Sequence, residues 1–148
     1  MMTSQHTYEA HAATFRRWAH AMATSDVEEY VSCFAPDAVV EDIAMGLTTR
    51  GSASIREAVT RWFQAVGDQK LTLLAHLEGD GHSAVMWELS AVVQGVFAEL
   101  STNARPGSRF TKQGASVFRF NDDAQFLWER SHWDKAGVLR QIETSHDQ

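Results

Sequence analysis

The sequence predicts an α+β fold, and two observations carry the prediction. Segments of helical period come first, with one short strand among them. From residue 70 the period changes to that of strands, and four long strands follow one another. Helices first and strands later favour segregation of the two over a doubly wound α/β arrangement. The expected shape is a cone: a strongly curved, mostly antiparallel sheet with the N-terminal helices packed in its concave face, and an apolar interior.

Residues 8 to 23 carry Ala12, Phe15, Ala19 and Met22 at helical spacing, which predicts an amphipathic helix. It ends at "ATSD". Ser25 with Glu28 three residues later has the form of a capping box, opening a helix that buries Val27, Tyr30, Val31 and Phe34. Pro36-Asp37 is expected to turn the chain into the strand "AVVEDI". A loop, "GLTTRGS", leads to a second capping box, Ser54 with Glu57, and to a helix with Ile55, Val59, Trp62, Phe63 and Val66 on one stripe. Then come "KLTLLAHLEGDG", "HSAVMWELSAVVQGVF" and two strands joined at "NDDA". The short segment "KAGVLRQIE" reads as a terminal helix.

The 148 residues, 44% hydrophobic and 22% charged, fit one domain spanning 1–148. A net charge of -6 with scattered Lys and Arg argues against a nucleic-acid surface. No apolar run reaches the length of a membrane span, and the N-terminus lacks the pattern of a signal peptide. Cys33 is the single cysteine and sits among apolar residues, so a buried structural thiol in a cytoplasmic, reduced protein is expected. The seven histidines show no metal-ligand spacing, and neither metal nor cofactor is expected.

The residues that attract chemistry lie at two strand ends. In "AVVEDIAMG", Glu41 and Asp42 stand between apolar neighbours. Alternation puts Val40 and Asp42 on one face and Val39, Glu41 and Ile43 on the other, and does not choose between the acids. A carboxylate walled by apolar groups is desolvated when charged, which raises its proton affinity. In "SHWDKAG", His132 and Asp134 share a strand face, where they could orient one another and move a proton; Asp134 could equally cap the terminal helix. Trp87 and Leu89 are read as inward and Glu88 as outward. Trp18, Trp62, Trp87, Phe118 and Trp133 are core aromatics that could also line a cavity for a flat, apolar ligand.

The segments "FAPDAVVEDIAMGLTTRGSASIREAV" and "GASVFRFNDDAQFLWERSHWDKAGVLRQI", with the element order, resemble the nuclear transport factor 2-like superfamily in its ketosteroid isomerase and SnoaL-like polyketide cyclase branch. The resemblance implies the cone fold, and a homodimer that buries the outer face of the sheet is expected. It places Asp42 on the general base of the isomerases and Asp134 on the acid–base aspartate of the cyclases. The isomerases' oxyanion tyrosine falls on Trp18 and their protonated aspartate on Ser116, so 3-ketosteroid isomerisation by that route is not expected. The strand "VMWELSAVV" lacks the Arg-x-Asp pair of limonene epoxide hydrolase, which demotes epoxide hydrolysis. The expected function is cofactor-independent acid–base chemistry on a hydrophobic small molecule. Asp42, Asp134 and His132 are its catalytic candidates, and Trp18, Arg50, Trp62, Trp87, Ser116 and Phe118 are the substrate-binding ones. A binding or dimerisation module of the same fold, and water addition, are the alternatives.

Overall fold

A computed structural model of the chain describes residues 4–143. Helices α1 (Ser4–Thr24) and α2 (Val27–Ser32) lead into strands β1 (Phe34–Asp42) and β2 (Leu47–Arg50), then helix α3 (Gly51–Ala65). Strands β3 (Val66–Gly79), β4 (His82–Val93), β5 (Arg109–Phe120) and β6 (Phe126–Trp133) follow, and α4 (Lys135–Ile142) ends the described chain. The six strands form one sheet in the order β2-β1-β6-β5-β4-β3. Neighbours run antiparallel except β1 and β6, which are parallel, so the sheet is mixed. The expected α+β cone, with helices on a curved sheet, is the fold observed.

The core follows from the apolar stripe of α1. Phe15 and Trp18 are buried against Phe118 of β5 and Phe126 of β6, with the Phe118 and Phe126 ring centroids 4.4 Å apart. A second cluster gathers Phe97, Phe110, Val138 and Ile142 beneath α4. Cys33 is fully buried, and burial pushes its thiol up to about 11, as suits a structural cysteine. Gly114 is needed by packing: a Cβ there would meet the carbonyl of His132 at 2.5 Å and the Trp87 ring at 2.6 Å.

Several local expectations are corrected. Ser25 takes a left-handed conformation (φ 53°), and Asp26 caps α2 by accepting from the Glu29 N–H at 3.0 Å. Glu28 instead chelates Arg56 of α3 through Nε and Nη2. Ser54 and Glu57 lie inside α3, because "LTTR" is not loop but strand β2, which pairs with β1 and delivers the chain straight into the helix at Gly51. Pro36 and Asp37 do not turn the chain. They lie exposed within β1, where a register shift between Phe34 and Val39 relieves proline of its missing donor. Val66 opens β3 rather than ending α3, and β4 stops at Val93. Glu88 faces outward as expected, accepting a hydrogen bond from Gln113 on β5.

Candidate functional site

Between α3, the β1–β2 hairpin and the inner face of β4–β6 lies a cavity of about 590 Å³. That is the size of a small-molecule site. Trp18, Met22, Val40, Ile55, Val59, Trp62, Leu71, Trp87, Leu89 and Trp133 supply most of its wall. The charged side chains among its lining are Asp42 on β1, Arg50 on β2, Glu57 and Arg61 on α3, Glu99 after β4, Lys112 on β5 and Glu129 on β6. Arg61 and Glu99 pair with each other at 2.5 Å.

Two carboxylates stand on adjacent strands. Asp42 pairs in register with Ser131, and Glu129 sits two residues earlier on β6, so all three face the cavity. Asp42 accepts from the Trp133 indole at 3.0 and 3.2 Å and from the Met45 N–H at 3.0 Å, which fixes the carboxylate against the turn before Gly46. Glu41 points to the opposite face and accepts from the Trp128 indole at 2.6 Å.

Glu129 is only 5% exposed. Its Oε2 accepts from the Ser131 hydroxyl at 2.6 Å; Ser131 meets Ser116 at 2.7 Å, and Ser116 accepts from the Trp87 indole at 2.8 Å. Its Oε1 is buried without a partner. Burial pushes this carboxyl up to about 7, reinforced by the Asp42 charge and opposed by the Ser131 hydroxyl and Lys112. The buried Trp18 N–H is also without a hydrogen bond of normal geometry, although it lies near enough to the Tyr30 hydroxyl to favour phenolate slightly. Burial dominates there and holds Tyr30 far above its ordinary value, as a neutral phenol.

Lys112 sits at the centre of an aromatic box. Its Nζ lies 4.0 Å from the Trp133 ring centroid, 5.1 Å from Trp62 and 5.4 Å from Trp87. Burial pushes the amine down to about 8, against the opposing pull of Asp42 and Glu129. Among the described residues no three His, Cys, Asp or Glu side chains are placed to hold a metal, and no helix is long and apolar enough to cross a membrane.

Of the residues singled out from sequence, Asp42, Trp18, Arg50, Trp62 and Trp87 line the cavity together. Phe118 and Ser116 do not: Phe118 is wholly buried among core rings, and Ser116 lies behind the wall in the hydroxyl chain. His132 and Asp134 are exposed and turned away from the cavity. His132 lies 3.4 Å from the Arg130 Nε, and Asp134 caps α4 by accepting from the Gly137 N–H at 2.9 Å. The alternative reading of Asp134 as a helix cap is therefore the geometry observed. Asp134→Ala is expected to cost about 1 kcal/mol of stability in urea unfolding while leaving ligand binding in the cavity unchanged; a loss of binding would show that the residue reaches the site.

Glu129, Lys112 and Ser131 were not anticipated. For Lys112 the signal was available, since it shares strand parity with Phe110, Ser116 and Phe118, all buried. For Glu129 it was not. A register shift at the start of β6 breaks the alternation, so Phe126 and Glu129, three apart, are both buried.

Residues 15–126 match the family model of the SnoaL-like domain. The chain belongs to this family. Among solved structures, the SnoaL-like chain superposes with a TM-score of 0.79 on a protein described as a SnoaL-like polyketide cyclase from Jannaschia sp. CCS1. They share 13% identity, and the match covers 98% of this chain and 99% of that one. A protein of ketosteroid isomerase-like fold from Catenulispora acidiphila DSM 44928, in complex with trimethylamine, gives 0.73 at 18% identity over 87% and 91%. An LEH-like epoxide hydrolase from M. tuberculosis gives 0.70 at 12% over 92% and 91%. At these identities the likeness concerns the fold. No curated protein sequence matches the chain.

Proposed function

We propose that this SnoaL-like protein is a cofactor-independent acid–base enzyme acting on a hydrophobic, enolisable ketone of polyketide or steroid type, as a cyclase, isomerase or dehydratase. The observation that carries the reading is Glu129: a buried carboxyl with one oxygen unpartnered, facing an apolar cavity beside a second carboxylate. Two acids in unlike surroundings divide the acid and base roles. Asp42 takes a proton from the carbon beside the carbonyl, the electron pair moves to oxygen, and protonated Glu129 donates to that oxygen to give the enol. Returning the proton at another carbon yields an isomer; attack of the enol carbon on a second carbonyl closes a ring.

A carbon-detected NMR titration of the carboxyl groups tests this without a substrate. Glu129, assigned through Glu129→Gln, is expected to titrate near 7. Titration at the ordinary value of 4.5 would mean that the carboxyl is solvated, and the protein would then be a binding module.

A further inference from the structure

Resting on the reading above, we propose that Lys112 is the oxyanion-stabilising group of the site, and that the cavity selects flat ligands bearing an anionic oxygen, the enolate or phenolate form of the substrate. Three indole rings face one ammonium, and each ring is fixed by its own N–H. Trp133 donates to Asp42, Trp87 to Ser116 and Trp62 to Gln69 at 3.0 Å. Cation–π contacts of this kind hold the ammonium through its charge and leave its N–H bonds free for an acceptor. Among the described residues no hydrogen-bond acceptor takes the Lys112 Nζ, and no carboxylate lies within ion-pair distance of it.

The cavity therefore offers a cation with unused donors, lined on neighbouring strands by the Asp42 and Glu129 carboxyl groups. A neutral hydrocarbon would satisfy none of these. A flat molecule with an oxygen that becomes negative during reaction satisfies the cation. The cation is then already in place when charge develops, in a site where water screens it little. Lys112 and Asp42 come from different strands, so one can hold the oxygen while the other takes the proton.

The probe is 2-naphthol, a flat phenol whose anion and neutral form absorb at different wavelengths. Spectroscopic titration of the bound probe gives the ratio of affinities for naphtholate and naphthol, with no turnover involved. The wild type is expected to favour naphtholate at least about tenfold relative to water, lowering the apparent pKa of the bound probe by a unit or more. Lys112→Met should remove that preference while retaining neutral naphthol within about threefold, since methionine fills the indole box. Lys112→Arg should restore part of it, and Lys112→Gln repeats the neutral test should the Met variant not fold. Equal affinity of the wild type for both forms, or an anion preference that survives in the Met and Gln variants, would overturn the proposal. Failure here is separable from failure of the acid–base reading: deuterium exchange at a ketone, unaffected by Lys112→Met, would leave that reading standing without this one.

Discussion

Glu129→Gln is expected to slow deuterium exchange at an enolisable ketone by about 10²–10⁴-fold, the usual worth of a positioned proton donor. Glutamine keeps the shape and offers an amide oxygen to the Ser131 hydroxyl, so the loss reports the missing titratable proton. The hydrogen-bond chain sharpens the point. Ser131 spends its single proton on Oε2, so its oxygen accepts from Ser116, which in turn accepts from the Trp87 indole. With Oε2 accepting from Ser131, Oε1, the oxygen without a partner, is the one left to carry the acid proton. An exchange rate unchanged in the variant would remove Glu129 from the mechanism.

The same substitution changes stability with a sign fixed by linkage. The folded value of about 7 lies above the ordinary 4.5. Between them the unfolded chain has released a proton that the folded chain retains, so this group lowers stability as pH rises through the window. The penalty is complete above about 7 and amounts to about 3 kcal/mol at 1.36 kcal/mol per unit. Lys112, pushed down to about 8 from 10.5, acts in a separate, higher window, where stability rises with pH. Urea unfolding at about pH 4.5 and about pH 7.5 should show the Gln variant gaining on the wild type as pH increases. Parallel curves would mean that Glu129 is not buried as described.

Phe118→Ala is expected to cost about 3–5 kcal/mol, enough to lower the melting temperature by on the order of 10 °C in a chain of this length. The ring is wholly buried, with centroids 4.4 Å from Phe126, 5.0 Å from Phe15 and 5.5 Å from Trp18. No rearrangement of one neighbour fills the space it leaves. Naphthol binding by the remaining folded protein should be close to normal, because Phe118 does not line the cavity. A loss below about 1 kcal/mol, or a selective loss of binding, would return Phe118 to the ligand wall.

Helical and strand periods were sufficient to read the architecture, because each long segment buries one face and repeats it many times. They failed where a single residue shifts the register. Pro36-Asp37 has the chemistry of a turn, yet the irregular start of β1 accommodates it within the strand. The β6 parity could not be read from "FLWERSHW", since aromatic residues lie on both faces and the irregular pairing at Phe126 alters the count. The resemblance chooses Asp42 over Glu41, and Asp42 is the acid of the pair that lines the cavity. The resemblance points also to Asp134, and spacing adds His132, but both are exposed, and Asp134 lies past the end of β6 as the cap of α4.

The parallel pairing of β1 with β6 has a consequence for how the protein is made. They are the first and last strands of the described chain, and the Trp133–Asp42 hydrogen bond spans 91 residues. Contacts of such separation form late, because the intervening loop must close first. On the ribosome β1 is synthesised long before its central partner, with only the four-residue β2 to cover one edge. The cavity is accordingly expected to close late in folding, because Asp42 meets Glu129, Ser131 and Trp133 only when β6 pairs with β1. A full-length chain in which β6 has not yet paired with β1 carries every residue of the site without its geometry.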